Sequence, residues 1–262
     1  MNKSLHSSIR SFLRFLRVSV ILLGGLSQTA WAIVSVEQER FIAARPGVHG
    51  TLSGSVSGQS GNSNQEGWEV GSALKWGTES SQWMWLVDRA YAQAEDVSIQ
   101  DNGWTHLRWY QPRPSPYGVE VFAQLSQNAF TSLESRSVLG AGTRIRVTEE
   151  PGLEMHFLGA GAFYEREQLK GQDSDPVLRG NLYWSWFLKS TEPSLSWGQV
   201  LYLQPNLQET GDHRILEELS VKLQLTSAVY LKLGLNLSLD NAPPEGIQKI
   251  DRSFDLSLGA DF

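Results

Sequence analysis

Seven ionisable side chains recur in three consecutive segments of the chain, with spacings that allow them to share one face of each segment. They are Glu120, Glu134, Arg136, Arg144, Arg146, Glu154 and His156. If the segments are neighbouring strands, the opposite charges can form a network of ion pairs and hydrogen bonds. A charged constriction that selects solutes is the functional alternative. We favour the structural network, and the two interpretations are compatible.

Histidines offer a second kind of chemistry. Hydrolysis through a serine nucleophile needs a serine, a histidine and an orienting acid or amide within hydrogen-bond reach. After residue 32, the histidines are His49, His106, His156 and His213. In an extended chain, His49 shares its face with Thr51 and Ser53. His156 shares its face with Glu154. Neither group matches a lipase constellation, so we predict no catalytic residues.

Cofactor and metal chemistry finds little support in this chain. It contains no cysteine, which excludes disulfides, thiolate metal sites and cysteine nucleophiles. The motifs Gly140-Ala-Gly-Thr and Gly159-Ala-Gly-Ala lack a following helix whose N-terminus could bind phosphate. Glycine at these places fits strand curvature and close packing better. The sequence therefore predicts no cofactor and no metal ion.

The first 32 residues have the pattern of a secretory signal peptide. Four basic residues, the last of them Arg17, precede an apolar run from Val18 to Leu26, and Ala30-Trp31-Ala32 follows with the small residues of a cleavage site. The apolar run is about half as long as the roughly 20 residues of a membrane-spanning helix. We therefore predict a signal peptide over 1–32, with cleavage after Ala32.

Charge excludes one class of partner. The whole chain has 22 Lys and Arg against 28 Asp and Glu, and removal of residues 1–32 takes away four basic and no acidic residues, which leaves a formal charge of −10. A surface with this balance does not attract the phosphate backbone of nucleic acid. We expect no nucleic-acid partner.

Alternation of polar and apolar residues runs through the rest of the chain. From Val229 to Asp240, every odd position is Val or Leu and every even position is polar, aromatic or glycine. A helix would mix Leu with Lys, Asn and Asp on each of its faces, so the period of two predicts a strand. In a soluble sandwich the charged face would meet water, whereas in a membrane barrel the polar face points inward and the apolar face meets lipid.

About twelve segments of this kind follow one another, each with about ten or more residues, as a tilted membrane strand requires. Longer connections are predicted at Gln93–Ile99, Lys170–Pro176 and Asn241–Gly246. An even number of strands puts both chain ends on the periplasmic side. The predicted strands are 48–60, 65–77, 80–92, 100–112, 117–128, 133–147, 153–167, 178–190, 194–208, 212–227, 228–240 and 248–262.

The sequence thus predicts an all-β protein, a single antiparallel transmembrane β-barrel over residues 48–262. Residues 33–47 form a short periplasmic N-terminal segment that hangs free or enters the lumen. Ten tryptophans support the barrel, because membrane proteins concentrate this residue at the two interfaces. Trp68 and Trp76 share a face at a spacing of roughly 19 Å along the membrane normal, near the height of the apolar band.

The last segment ends on an aromatic residue. Phe254, Leu256, Leu258 and Phe262 lie on one apolar face, opposite Ser253, Asp255 and other polar residues. This arrangement resembles the C-terminal signal by which the barrel-assembly machinery of the outer membrane recognises its substrates. We predict these four residues as the assembly signal.

Four motifs in the middle of the chain are distinctive: Trp104-Thr-His-Leu-Arg-Trp-Tyr, Gly118-Val-Glu-Val-Phe-Ala-Gln-Leu-Ser-Gln-Asn-Ala-Phe, Leu133-Glu-Ser-Arg-Ser-Val-Leu-Gly-Ala-Gly-Thr-Arg and Leu158-Gly-Ala-Gly-Ala-Phe-Tyr-Glu. They resemble motifs of domain-of-unknown-function family 481, which includes salt-induced outer-membrane proteins. The resemblance covers most of the chain after residue 32. It implies a barrel and an outer-membrane location in Gram-negative bacteria, but it carries no settled activity to particular residues.

The predicted function is that of an outer-membrane β-barrel protein of undefined specific activity. It is either a narrow, porin-like passage for small solutes or a structural protein of the envelope, and an outer-membrane lipid-acting hydrolase or acyltransferase is the alternative. The expected partners are outer-membrane lipid and, during biogenesis, the barrel-assembly machinery. We expect a monomer.

Overall fold

The computed structural model describes residues 35–40, 47–60, 64–78, 80–95, 97–112, 116–129, 133–150, 153–173, 175–191, 194–209, 211–226, 229–244 and 246–260. The predicted signal peptide and Phe262 lie outside the described residues. Within the described part of the chain, no helix is long and apolar enough to cross a membrane.

Over these residues, one antiparallel sheet contains all the strands, and one short helix, α1 (Glu37–Arg40), precedes it. The strands are β1 (Gly47–Gln59), β2 (Gln65–Gly77), β3 (Gln82–Ala94), β4 (Val97–Pro112), β5 (Tyr117–Asn128), β6 (Leu133–Glu150), β7 (Glu154–Leu169), β8 (Gln172–Asp173), β9 (Val177–Thr191), β10 (Ser194–Pro205), β11 (His213–Gln224), β12 (Val229–Asp240) and β13 (Ile250–Ala260). The long strands pair in chain order, and β8 pairs with β7 alone. Among the described residues, no pairing joins the end strands β1 and β13.

The predicted all-β antiparallel fold is confirmed, and each of the twelve predicted spans matches one long strand. The largest shift at a strand start is in β4, which begins at Val97 rather than at residue 100. The predicted long connection Gln93–Ile99 is wrong for the same reason. β3 continues to Ala94, and Glu95 adopts a left-handed backbone conformation with φ of 49°. Such a residue allows a short hairpin connection.

The two faces of the sheet differ in composition, and the polar one is buried. On β5, Glu120 and Gln124 are buried, whereas Val121 and Leu125 are 40% and 59% exposed. We call the face of Glu120 the inner face and the face of Val121 the outer face. This burial of polar residues beneath an apolar surface is the reverse of a soluble sheet protein and is typical of a membrane barrel.

The sheet curves strongly around its inner face. Two strands, β6 and β7, separate β5 from β9, which in a flat sheet would place their backbones about 14 Å apart. Nevertheless the Tyr183 hydroxyl on β9 donates a hydrogen bond of 3.0 Å to Oε1 of Glu120 on β5. Gly159 permits this contact, because a β-carbon there would overlap the Tyr183 ring. The structure thus confirms the role in close packing that the glycine motif predicts.

Apolar side chains fill one end of the curved interior. The largest cluster consists of Met155, Phe157, Tyr183, Val200, Tyr202 and Leu216. A second cluster joins the N-terminal segment to the sheet, since Val36 packs with Met84 and Leu86 of β3. Residues 35–40 of the segment predicted over 33–47 therefore enter the interior rather than extend away from the sheet.

Candidate functional site: the ion-pair groups of the interior

The carboxylate of Glu37 in α1 lies fully buried at the centre of a first group of ion pairs. Its Oε1 lies 2.6 Å from Nη1 of Arg40 and 3.4 Å from Nη1 of Arg108 on β4. Its Oε2 lies 3.1 Å from Nη1 of Arg144 on β6 and accepts a 3.4 Å hydrogen bond from the Ser185 hydroxyl on β9. Three strands of the sheet, β4, β6 and β9, thus hold this one side chain.

Glu120 is the second carboxylate of the first group. Its Oε2 lies 3.0 Å from Nη1 of Arg40 and 3.3 Å from Nη1 of Arg108, while its Oε1 accepts the bond from Tyr183. Two aromatic rings add cation–π contacts, which stabilise buried guanidinium groups. The guanidinium of Arg108 lies 4.9 Å from the centre of the Phe122 ring, and that of Arg144 lies 3.6 Å from the centre of the Phe157 ring. The first group comprises Glu37, Arg40, Arg108, Glu120, Arg144, Tyr183 and Ser185.

The charges around Glu37 keep its carboxyl group ionised. Burial acts to raise the pKa of Glu37, but the guanidinium groups of Arg40, Arg144 and Arg108 together hold this pKa below its ordinary value. A buried carboxylate is stable only where such partners replace its water. The docked position of α1 therefore depends on ionised Glu37 and the two arginines of the sheet.

A second group of ion pairs lies further along the inner face and centres on Glu165 of β7. This carboxylate accepts hydrogen bonds from Nε of Arg136, from Nε of Arg179 at 2.5 Å and from Nη1 of Arg214 at 2.7 Å. Three guanidinium groups on three strands thus converge on one buried carboxylate. The second group comprises Arg136, Glu165, Glu167, Arg179, Asp212, Arg214 and Asp240.

Asp212 closes the second group from the connection between β10 and β11. Its two carboxylate oxygens accept hydrogen bonds of 3.0 and 2.8 Å from the Arg179 guanidinium. Such a bidentate geometry is among the strongest that an ion pair adopts. Burial acts to raise the pKa of Asp212, but hydrogen bonds from Arg179 and Asn206 hold this pKa below its ordinary value, and the charges of Arg179 and Arg214 add to the effect.

A small cavity separates the two groups. Its volume is about 30 Å³, which is room for about two water molecules. Arg108 of the first group and Arg136 of the second both line it. His106 also lines it, and its Nε2 accepts a 3.2 Å hydrogen bond from Nε of Arg108, while its Nδ1 faces Oε1 of Gln124 at 3.2 Å. Acceptance at Nε2 indicates a neutral imidazole with its hydrogen on Nδ1.

The structure brings three of the seven predicted cluster residues into the interior. Glu120 and Arg144 belong to the first group, and Arg136 belongs to the second. Glu134 and Arg146 are exposed near the ends of β6, and irregular pairing of β6 with β7 occurs next to each of them. They do not join the two groups through the described contacts.

Glu154 and His156 lie on the outer face, which corrects their predicted inward orientation. On β7 it is Met155 and Phe157 that are buried, whereas Leu158, on the face of Glu154 and His156, is 45% exposed. Glu154 and His156 therefore belong to the outer face of β7 and not to its inner face. Both side chains contact tryptophans of β9. The indole of Trp184 donates a 2.5 Å bond to Nε2 of His156, and that of Trp186 donates a 3.0 Å bond to Glu154.

The residues considered for catalysis and assembly are spread over the sheet. His49 lies on β1 and is exposed, and His156 contacts Trp184 as described above. Phe254 and Leu256 of the predicted assembly signal are 65% and 63% exposed on the outer face of β13. The backbone of Leu258 pairs with Leu231, and Phe262 lies outside the described residues. Within the described chain, no cluster of three or more potential metal ligands occurs.

Sequence reasoning missed most members of the two groups. Arg108 carried a usable signal, because it lies two residues from His106 and alternates with apolar outer residues of β4. Glu165 carried a similar signal two residues after the buried Phe163. Glu37 and Arg40 carried none, because they precede the first strand and belong to no periodic pattern.

The family described as "Protein of unknown function, DUF481" matches residues 53–262. No curated protein sequence matches the chain. Among solved structures, the chain is similar to a "Bacterial polysaccharide outer membrane secretin", with 11% identity, coverage of 80% of this chain and 78% of that chain, and a TM-score of 0.43. It is also similar to a "NanC porin structure in rhombohedral crystal form", with 9% identity, coverage of 81% of this chain and 99% of that chain, and a TM-score of 0.45.

Proposed function

The chain belongs to the DUF481 family, and from this premise we propose that it is an outer-membrane β-barrel protein whose interior is closed by its own N-terminal segment. The observation that carries the proposal is the complete burial of Glu37 between arginines of β4 and β6 and a serine of β9. A segment from outside the sheet thus occupies the space through which a solute would pass. We propose a structural role in the envelope for this closed form.

The outer face supports a membrane location. The twelve residues of β12, tilted by about 45°, span about 26 Å along a membrane normal, close to the roughly 25 Å apolar band of an outer-membrane barrel. Leucines occupy its outer positions from Leu231 to Leu239. In water, such a continuous apolar stripe would be exposed, whereas in lipid it is buried favourably.

Aromatic pairs at both ends of the outer face give a second support. Trp76 and Trp83 stack at one end of the β2–β3 pair, with ring centres 5.9 Å apart. Trp68 and Tyr91 stack at the other end, with ring centres 6.3 Å apart. These pairs fit the two aromatic girdles that flank the apolar band of a membrane barrel.

The proposal requires that β1 and β13 pair in the membrane. An open sheet edge in hydrocarbon would leave N–H and C=O groups without partners, at several kcal/mol for each group. Fractionation of cells, followed by electrophoresis with and without heating, tests location and closure together. We expect the protein in the outer membrane, with a mobility that changes on heating. A soluble periplasmic product would overturn the proposal.

Conductance tests the closed interior. We expect purified wild-type protein in planar bilayers to give no ohmic current across a range of salts and voltages. Glu37→Lys places a positive charge against Arg108 and Arg144 and should expel the segment, so that stepwise currents appear. Glu134→Lys is the matched control, because it makes the same charge change at an exposed position, and it should stay silent. A steady ohmic current from the wild type would contradict the closed form.

A narrow passage that opens when the segment leaves is the second candidate function. It is favoured by the noncovalent attachment of α1 and by the cavity that Arg108 and Arg136 both line. Brief openings of the wild type, which Glu37→Lys makes more frequent, would favour this gated passage. A wild type that never opens would favour the structural role.

A further inference from the structure

We propose that the interior contains a binding site for a small carboxylate anion, formed by Arg108, Arg144 and Ser185 and occupied in this conformation by the side chain of Glu37. The inference rests on the proposed closure of the interior by the N-terminal segment, and it names the class of solute that can compete with this segment. In this view Glu37 is a tethered ligand of the sheet.

The contacts of Glu37 are those of a bound carboxylate. Each of its two oxygens meets a donor of the sheet, with Arg108 at 3.4 Å on one oxygen and Arg144 and Ser185 at 3.1 and 3.4 Å on the other. All three donors belong to strands and keep their positions through the backbone pairing of the sheet. The site is therefore built by the wall and only filled by the segment.

The charge balance of the wall favours an anion. Departure of the segment removes Glu37 and Arg40 together, and the first group then retains Arg108, Arg144 and a single carboxylate, Glu120. Arg108 lies 3.3 Å from Glu120, whereas the ion pair described for Arg144 is with Glu37. A buried guanidinium without a carboxylate is costly. Departure of Glu37 thus leaves Arg144 in need of another anion.

Two further features agree with this balance. The Nε atom of Arg144 is buried and has no hydrogen-bond partner among the described residues, although the side chain is only 5% exposed. The site therefore has a donor beyond those that Glu37 engages. The other carboxyl group near this region, Glu218 of β11, interacts with the charge of Glu37. Its favourable partners are the Ser35 side chain and the charge of Lys232, and not these arginines.

The available space limits the ligand to a small one. The carboxylate of Glu37 and its last methylene group correspond in size to acetate. The cavity of about 30 Å³ adjoins the site at Arg108 and adds room for about two non-hydrogen groups of water size. A monocarboxylate of two to about four carbon atoms fits these dimensions.

Rescue of a truncated side chain tests the site. The test uses the full chain, refolded in detergent, and compares its thermal unfolding in acetate and in chloride at equal ionic strength. Glu37→Ala should unfold at a lower temperature than the wild type, and acetate at tens of millimolar should restore several degrees that chloride does not restore. An equal response to the two salts would overturn the proposal.

A double variant separates the site from a general salt effect. Glu37→Ala combined with Arg144→Gln should lose the rescue by acetate. Glu37→Ala combined with Arg146→Gln is the matched control, because Arg146 lies on the same strand at an exposed position, and it should keep the rescue. Rescue that persists without Arg144 would also overturn the proposal.

The wild-type protein provides a measurement that does not depend on folding of the variants. Trypsin cuts after arginine, and Arg40 is protected while its side chain is buried in the first group. Acetate that displaces Glu37 should speed cleavage after Arg40 several-fold relative to chloride, with a peptide substrate as the control for trypsin itself. Equal cleavage rates together with absent rescue would refute the site. Thermal unfolding and tryptic cleavage are both measured without a membrane current. A conducting wild type would therefore contradict only the proposed closed form of the interior, and not the carboxylate site.

Discussion

The two ion-pair groups of the interior use the same chemistry but differ in where their members come from. In the second group, every charged side chain lies on a strand of the sheet, apart from Asp212 in the connection between β10 and β11. The first group takes Glu37 and Arg40 from α1, which precedes the sheet. The second group therefore forms whenever the sheet forms, whereas the first group is complete only after the N-terminal segment docks. The second group thus stabilises the sheet itself, whereas the first group attaches an N-terminal segment that can leave.

Removal of the central carboxylate of the second group should destabilise the sheet most. Glu165→Ala leaves Arg136, Arg179 and Arg214 close together without the carboxylate that they share. Removal of one partner from a buried ion pair costs about 3 to 5 kcal/mol. We expect a loss of this size in the free energy of unfolding, measured by urea titration in lipid or micelles with tryptophan fluorescence as the probe.

Glu134→Ala is the control for that measurement, because Glu134 is exposed near the end of β6. It should unfold close to the wild type. If Glu165→Ala were as stable as Glu134→Ala, the second group would not hold the wall of the sheet, and the contrast between the two groups would fail.

Removal of the corresponding carboxylate in the first group should have a smaller effect on the sheet. In Glu37→Ala the segment can leave, Arg108 keeps Glu120 at 3.3 Å, and water can reach Arg144. We expect a loss of about 1 kcal/mol in the free energy of unfolding, the value of an ordinary hydrogen bond. Tryptic cleavage after Arg40 should rise sharply at the same time. A loss as large as that of Glu165→Ala, without faster cleavage, would show that the segment is a permanent part of the core.

The strands could be predicted because their signal is local. A period of two that continues over ten or more residues identifies a two-faced strand without knowledge of its neighbours. The predicted face is wrong at the start of β7. Around Glu154 the outer face is polar and the inner face carries Met155 and Phe157, the reverse of the pattern in the middle of the sheet. Polarity alone therefore assigned Glu154 and His156 to the wrong side.

The first group could not be predicted, because its contacts join distant parts of the chain. Glu37 bonds to Ser185, 148 residues away, and Arg108 lies 71 residues from Glu37. No repeat and no motif links these positions. Only the curvature of the sheet, together with the entry of the segment, brings them into contact. The sequence patterns therefore predict the strands around the interior but not the N-terminal segment that enters it.

Asp212 should contribute least to stability, and its contribution should depend on pH. Its pKa is lowered in the folded protein, so the ionised carboxylate stabilises the fold. This contribution is fully present above the unfolded pKa of about 3.9 and is lost as the pH falls through the lower folded value. Asp212→Asn should therefore reduce stability at neutral pH and flatten its decline in acid. Asp175→Asn, at an exposed position, should follow the wild-type curve. Parallel curves for Asp212→Asn and the wild type would show that Arg179 does not depend on this carboxylate, and that the ion pair with Glu165 is sufficient for Arg179.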